Sequence, residues 1–238
     1  MEGRHVLVTG ASGAIGGAIA EALGDRGARV FAVGRDAERL DALARRLRGR
    51  GRTAAVIAAD LAEDPAVTRV ANAALAELGA VDVLVHAAGA FASGTLERQP
   101  VEVLDQQLHI NLRVPYLLTQ RLLSSLSERR GEIVFVNSTV VLGPRAGVGA
   151  YAASKAALRA LAESLRAEVN GRGVRVLSIF PGRTASGMQQ EVHRSEGKSY
   201  RPETLLQPED VAAAVANALA LPRTAEVTDV YVRPMQAP

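Results

Sequence analysis

The sequence predicts an α/β fold: a single domain in which helices cover both faces of a doubly wound parallel sheet. Three observations carry the prediction. Short apolar runs alternate with amphipathic stretches, a glycine-rich turn follows the first run at once, and 238 residues with 48% hydrophobic content suffice for one substantial core.

The first strand is expected near 5–9, where His5-Val6-Leu7-Val8 runs into Thr9-Gly10-Ala11-Ser12-Gly13-Ala14-Ile15-Gly16. Strand, tight turn and helix in that order suit a dinucleotide pyrophosphate. Gly10 permits the turn, Gly13 keeps side chains away from the anion, and Gly16 allows close helix-to-strand packing. A helix from about Ala14 to Asp25 then aims free amides at the phosphates. The second strand, near 29–33, ends at Gly34-Arg35, with no carboxylate before Asp36. An acidic residue there would bind ribose hydroxyls, whereas a guanidinium pairs with a 2′-phosphate. Arg35, with Arg39 one helical turn on, therefore favours NADP(H). Further strands are expected near 53–59, 81–86, 131–138, 174–180 and 227–232, with helical patterns between most of them.

Between the fifth and sixth strands, Ala150 to Leu165 carries apolar residues at helical spacing. Tyr151 and Lys155 then project from one face on successive turns, and Ser138 lies thirteen residues before the tyrosine. A nearby ammonium favours phenolate. It is expected to draw the Tyr151 pKa from an ordinary value of about 10 toward neutrality, as a general acid or base for carbonyl chemistry requires.

With these residues in hand, the chain resembles the short-chain dehydrogenase/reductase family over nearly its whole length. Thr9 to Gly16 looks like the family's TGxxxGxG turn, which places Gly10, Ser12, Gly13, Ile15 and Gly16 at the cofactor. Asp60-Leu61 is similar to its adenine-contacting pair after the third strand. Val85-His86-Ala87-Ala88-Gly89 stands where the family has Asn-Asn-Ala-Gly or Asn-Ala-Ala-Gly; His86 replaces the first Asn, and Ala88 and Gly89 keep the backbone beside the adenine-side ribose. Asn111, Ser138, Tyr151 and Lys155 match the catalytic tetrad. Pro181-Gly182 resembles the turn beside the nicotinamide, and Ser186 falls where a Thr often contacts the carboxamide.

The resemblance implies a Rossmann-type single domain spanning 1–238 and an NADP(H)-dependent oxidoreductase that interconverts a ketone or aldehyde and an alcohol. In it Tyr151 is the proton donor or acceptor and Ser138 binds the substrate carbonyl oxygen. Lys155 lowers the Tyr151 pKa and binds the nicotinamide ribose, and Asn111 holds a relay water. Arg183 to Leu206, polar and irregular, corresponds to a substrate lid. A homo-oligomer, dimer or tetramer, is expected, with helices near Val101–Ser125 and Ala150–Val169 at one interface; Ala157, Leu158, Ala160, Leu161 and Leu165 offer more apolar surface than one buried face needs.

Composition narrows the alternatives. No apolar stretch of about 18 residues and no signal-like amino terminus is found, so a cytoplasmic protein without membrane association is expected. The absence of cysteine excludes disulfides and thiol nucleophiles, and His5, His86, His109 and His193 show no ligand spacing, so no metal is expected. Five arginines between Arg45 and Arg52 suggest a nucleic-acid patch. The net charge of only +3 and the favourable placement of cations at a helix carboxyl end argue instead for a solvated helix end and no nucleic acid. The alternative function is a non-catalytic NADP(H) sensor on the same fold, which the complete tetrad disfavours.

Overall fold

The computed structural model describes residues 1–143 and 145–235. Seven strands, β1 (His5–Thr9), β2 (Arg29–Gly34), β3 (Ala54–Ala58), β4 (Val83–His86), β5 (Glu132–Val136), β6 (Arg175–Pro181) and β7 (Asp229–Val232), form one parallel sheet in the order β3-β2-β1-β4-β5-β6-β7. The strand order reverses between β1 and β4, and that switch opens a crevice at the carboxyl ends of the strands. Every expected strand is present, and the Rossmann-type doubly wound sheet is confirmed.

Alternation along the strands builds two cores. Val6 and Val8 face one layer with Ile19, Leu40, Leu43, Val211 and Val215, while Leu7 faces the other with Phe31, Leu84, Phe135, Leu118 and Leu158. The first layer holds α1 (Ala14–Asp25), α2 (Ala37–Gly49) and α8 (Pro208–Leu219); the second holds α3 (Asp64–Leu78), α5 (Val114–Glu128) and α6 (Gly149–Val169). At the amino ends of the strands, opposite the crevice, buried Glu132 pairs with both Arg4 and Arg175.

Three local expectations change. The helix expected over Val101–Ser125 is two: α4 (Val101–Leu108) and α5 are joined by a π-helical turn, His109–Arg113. Leu158 and Leu165 are buried within the chain, so α6 exposes a lighter surface of Ala153, Ala156 and Ala160, flanked by half-buried Ala157 and Leu161. The segment after β6 is folded rather than irregular. It contains α7 (Gly187–Ser195) and a 3-10 turn, Pro202–Thr204, and buries Val192, His193, Leu205 and Leu206.

The arginine run is used internally. Arg46 and Arg50 bind Glu21, Arg50 also binds Asp25, and Arg48 and Arg52 donate to the carbonyls of Ala54 and Asp25. These bonds clamp α2 and the loop after it to α1 and β3. Four of the five guanidiniums thus have partners within the chain.

Candidate active site

The turn after β1 is built for close approach. Gly10 has φ +68°, and a Cβ there would lie 2.5 Å from the Ala87 carbonyl oxygen; at Gly16 it would lie 2.4 Å from that of Gly10. Ala14 stands at the second glycine of the TGxxxGxG pattern, and α1 begins there. Gly13 caps α1 with no side-chain hydrogen bond, so no side chain competes for the first-turn amides. Thr9 ties the turn to the neighbouring strand: its hydroxyl donates to Val85 O and accepts from the amides of Ala87 and Ala88.

At the end of β2, Gly34 packs against Ser12, whose Oγ would be 2.4 Å from a Cβ at that position. Arg35 follows, exposed, while Arg39 is drawn to Asp36 at 3.2 Å. Asp60 is exposed and accepts from Ala62 N at 3.0 Å, and Leu61 is buried beneath it. A groove of about 800 Å³ continues from Ser12 and Gly13 between α1, α2 and α8, with Arg39, Arg46 and Arg50 among its lining residues.

His86 answers for the missing asparagine. It is 2% exposed, its Nε2 lies 2.8 Å from Thr119 Oγ1 on α5, and its ring stacks on Phe135 at 5.0 Å. The imidazole therefore ties β4 both to its neighbour strand and to a helix. Burial pushes its pKa down to about 3, so it is neutral.

Asn111 lies in the π-helical turn, 0% exposed. Its side chain accepts from Ala90 N at 2.8 Å and donates to Ala90 O and to Ser154 Oγ, both at 2.9 Å. Both amide protons are therefore used in holding the loop after β4 against α6. The residue four positions after Asn111 is Pro115, which has no N–H to offer the Asn111 carbonyl. Such π-helical irregularities gather at functional sites.

Ser138, at the end of β5, and Tyr151 and Lys155, on α6, converge at the crevice. Lys155 is 4% exposed; its Nζ donates to Val136 O at 2.9 Å and lies 5.9 Å from the Tyr151 ring centroid. Burial without a neighbouring carboxylate lowers its pKa to about 8. Tyr151 is half-buried, with Phe91 edge-on at 5.1 Å. Its pKa moves opposite to the expectation from Lys155: burial raises it, and the hydrogen bond with Ser138 only partly offsets that. The reason is geometric. The ammonium points at the strand carbonyl rather than at the phenol, while the surrounding protein strips water from the phenolate.

Two supporting residues escaped the sequence reading. Ser154 accepts from Asn111 and donates to Tyr151 O at 2.8 Å; Asn137 donates to Lys155 O at 3.2 Å and accepts from Ser138 N at 2.9 Å. Both adjoin tetrad residues in sequence, at 137–138 and 154–155, which was the one available signal. Pro181-Gly182 closes the crevice beyond β6, with Thr139 Oγ1 3.4 Å from Pro181 O and Gly182 N donating to Val232 O. Ser186 is the N-cap of α7, accepting from Gln189 N at 3.1 Å. Among the described residues, no group of three or more His, Cys, Asp or Glu side chains is arranged to hold a metal, and no helix is long and apolar enough to cross a membrane.

Comparison with known proteins gives a consistent picture. The sequence pattern of the family described as short chain dehydrogenase matches residues 4–197. An uncharacterized short-chain type dehydrogenase/reductase of Sinorhizobium fredii is 36% identical over 235 residues, covering 96% of this chain and 90% of that protein. Among solved structures, an alcohol dehydrogenase from the archaeon Thermococcus sibiricus, complexed with 5-hydroxy-NADP, is similar with a TM-score of 0.89 at 27% identity, over 100% of this chain and 99% of that one. A metagenomic short-chain oxidoreductase in complex with NADP gives 0.85 at 32% identity, over 99% of both chains.

Proposed function

The chain belongs to the short-chain dehydrogenase/reductase family, and from that premise we propose that it is an NADP(H)-dependent oxidoreductase interconverting a ketone or aldehyde with an alcohol. One arrangement carries the reading: Ser138, which eases ionisation of the Tyr151 phenol, and the buried Lys155, whose Nζ lies 5.9 Å from the phenol ring, come together from β5 and α6.

The residues present fit a dinucleotide. The glycine cradle at Gly10 and Gly16 admits no side chain, Gly13 leaves the α1 amides to an anion, and Ile15 lies in the first turn of that helix. Gly89 brings main chain within reach of Asn111 and Lys155, since a Cβ there would lie 3.3 Å from Asn111 Oδ1 and 4.0 Å from Lys155 Nζ. Ala88, Asp60 and Leu61 border the adenosine end; Pro181, Gly182 and Ser186 border the nicotinamide end. Arg35, with no carboxylate at its position, assigns preference to the 2′-phosphorylated cofactor, in keeping with the NADP and NADP-analogue complexes among its structural neighbours. The bound cofactor supplies the hydride.

The chain's own groups do the rest. Ser138 donates to the substrate carbonyl oxygen and stabilises the charge that develops there. Tyr151 gives its proton to that oxygen in reduction and removes it in oxidation. Its raised pKa in the free protein keeps the phenol protonated, which suits reduction. Lys155 supplies positive charge behind the phenol. Asn111 positions rather than titrates: its side chain clamps Ala90 and Ser154, and a relay water would fall to its main-chain carbonyl, opposite Pro115.

The test is oxidation of NADPH by purified protein with a panel of ketones and aldehydes. Tyr151→Phe is expected to lower turnover by at least about a hundredfold, the lower end of what a positioned general acid contributes, while leaving NADPH affinity nearly unchanged. Tight NADPH binding with no turnover of any carbonyl compound would favour the sensor instead. Near-normal turnover by Tyr151→Phe would remove the tyrosine from the mechanism.

A further inference from the structure

We propose that Arg145 and Glu196 form a latch across the substrate crevice that favours short apolar ketones over long-chain ones. The inference rests on the oxidoreductase reading above.

Two chain segments bound the crevice. Residues 139–143 leave Ser138, and residues 145–148 lead into α6 just before Tyr151; residues 183–206 leave the Pro181-Gly182 turn and carry α7. A carbonyl compound held by Ser138 and Tyr151 and facing that turn lies between the two. On that reading, the part of the substrate beyond its reacting carbon extends toward the gap between them. Arg145, in the first segment, reaches across with Nη2 3.2 Å from Glu196 Oε1, in the second.

Glu196 does not swing freely. At the carboxyl end of α7 it also accepts from Arg183 Nη2 at 2.7 and 2.8 Å and lies 3.3 Å from Lys198 Nζ. The Arg183 side chain is 13% exposed and sits at the foot of the segment, so it orients the carboxylate toward the gap. Burial opposes ionisation of Glu196, but Arg183, Lys198 and Arg145 together hold its pKa below the ordinary carboxylate value. The Arg145 side chain, by contrast, is 50% exposed. It is the half of the latch that can let go.

The segment behind the latch is already compact. Ser186 N donates to Tyr200 OH, His193 packs edge-on against Tyr200 at 5.5 Å, and Ala185 N donates to Leu206 O. Opening thus loosens a folded unit whose ends pair Thr184 with Leu206. The large exposed apolar side chains of the two segments are Leu142 and Met188, one on each. They give the entrance an apolar lip, which sets the chemistry of the substituent, while the ion pair sets its length.

Because Arg145 is half exposed, the pair is worth only a small factor, roughly two- to fivefold. The experiment uses the full chain and a homologous series of methyl ketones from four to twelve carbons, with Arg145→Gln and the conservative Arg145→Lys. In Arg145→Gln, kcat/KM for the longest ketones relative to the shortest is expected to rise about two- to fivefold, with the NADPH Kd unchanged. Arg145→Lys should restore the original ratio. Raising the salt concentration should act on the unmutated protein as the Gln substitution does and have little effect on the variant. An unchanged length ratio in Arg145→Gln would overturn the latch. Amide exchange across 186–200 supplies a readout independent of turnover: it should be faster in Arg145→Gln than in the unmutated chain, and equal exchange overturns the latch as well. Failure of every ketone to oxidise NADPH, with faster exchange in the variant, would instead remove the oxidoreductase reading and leave the latch.

Discussion

In the proposed mechanism Lys155 and Tyr151 set the pH behaviour of the site, since reduction would require both groups protonated. Burial raises the tyrosine pKa and lowers that of the lysine to about 8. The kcat/KM for ketone reduction is therefore expected to be level below pH 8 and to fall above it as Lys155 loses its proton. A profile that stays level to pH 10 would show that the ammonium is not needed. His86 acts on stability. Its pKa of about 3 in the folded chain lies below the ordinary 6.5, so the unfolded chain binds a proton that the folded one refuses. Its contribution is complete above pH 6.5 and is lost as pH falls toward 3, on the order of 4 kcal/mol across that window. His86→Asn should flatten this part of an acid-unfolding curve, and an unchanged slope would mean that the imidazole escapes burial. For Arg35→Ala, losing a phosphate-paired guanidinium is expected to cost roughly 1.5–3 kcal/mol, about a tenfold to hundredfold rise in the NADPH Kd, with little change for NADH. Fluorescence titration gives both, and equal affinities in the unmutated protein would refute the assignment. At this scale the candidate pair Tyr151 and Lys155 was legible because Tyr-x-x-x-Lys is a local helical spacing, while Asn111 entered only through the family resemblance. The roles of Thr9, Asn137 and Ser154 were not legible, since their partners lie as far as 79 residues away in the chain.

Elements were legible where periodicity is strong and blurred where chemistry interrupts it. The seven strands follow from apolar runs bounded by turns, and α1 follows from its glycine-rich start. The break of α4 and α5 at His109–Arg113 has no hydropathy signature, because its apolar residues keep near-helical spacing through the extra residue of the π-helical turn. Pro115 was the only local mark. The segment after β6 shows the converse. Ser186 and Gln189 are a capping pair that announces α7, yet the few apolar residues behind them, Val192, Leu205 and Leu206, are too sparse to read as a core. Packed so lightly, residues 183–206 are expected to be among the first to open. Their amides should exchange faster in the free protein than with NADP and a substrate analogue bound together. Equal protection in both states would make the segment a fixed wall and shift substrate choice to Thr139, Val140 and Ala146 beside Ser138.

For the whole molecule, α6 still presents Ala153, Ala156 and Ala160 outward, and Tyr116 on α5 is 51% exposed. Small residues allow close approach of a helix from another copy, and closure about a twofold axis would cover them. Light scattering at micromolar concentration is expected to give a dimer or tetramer of the 25.0 kDa chain, and a mass near one chain would exclude it. The sequence by itself determined the α/β class, the order of strands and helices along the chain and the glycine turn, and it singled out Asn111, Ser138, Tyr151 and Lys155 as candidates. Each of these is a local pattern, dictated by side-chain period, backbone freedom or spacing along one element. Only the tertiary structure decided how those residues behave. It turned His86 into a neutral tie between β4 and α5, aimed Lys155 at Val136 O, raised the Tyr151 pKa against the expected sign, and gave most of the arginine run partners inside the chain. The reason is that desolvation and hydrogen-bond partnership depend on which distant segments the fold brings together, and nothing in the local order of residues encodes that proximity.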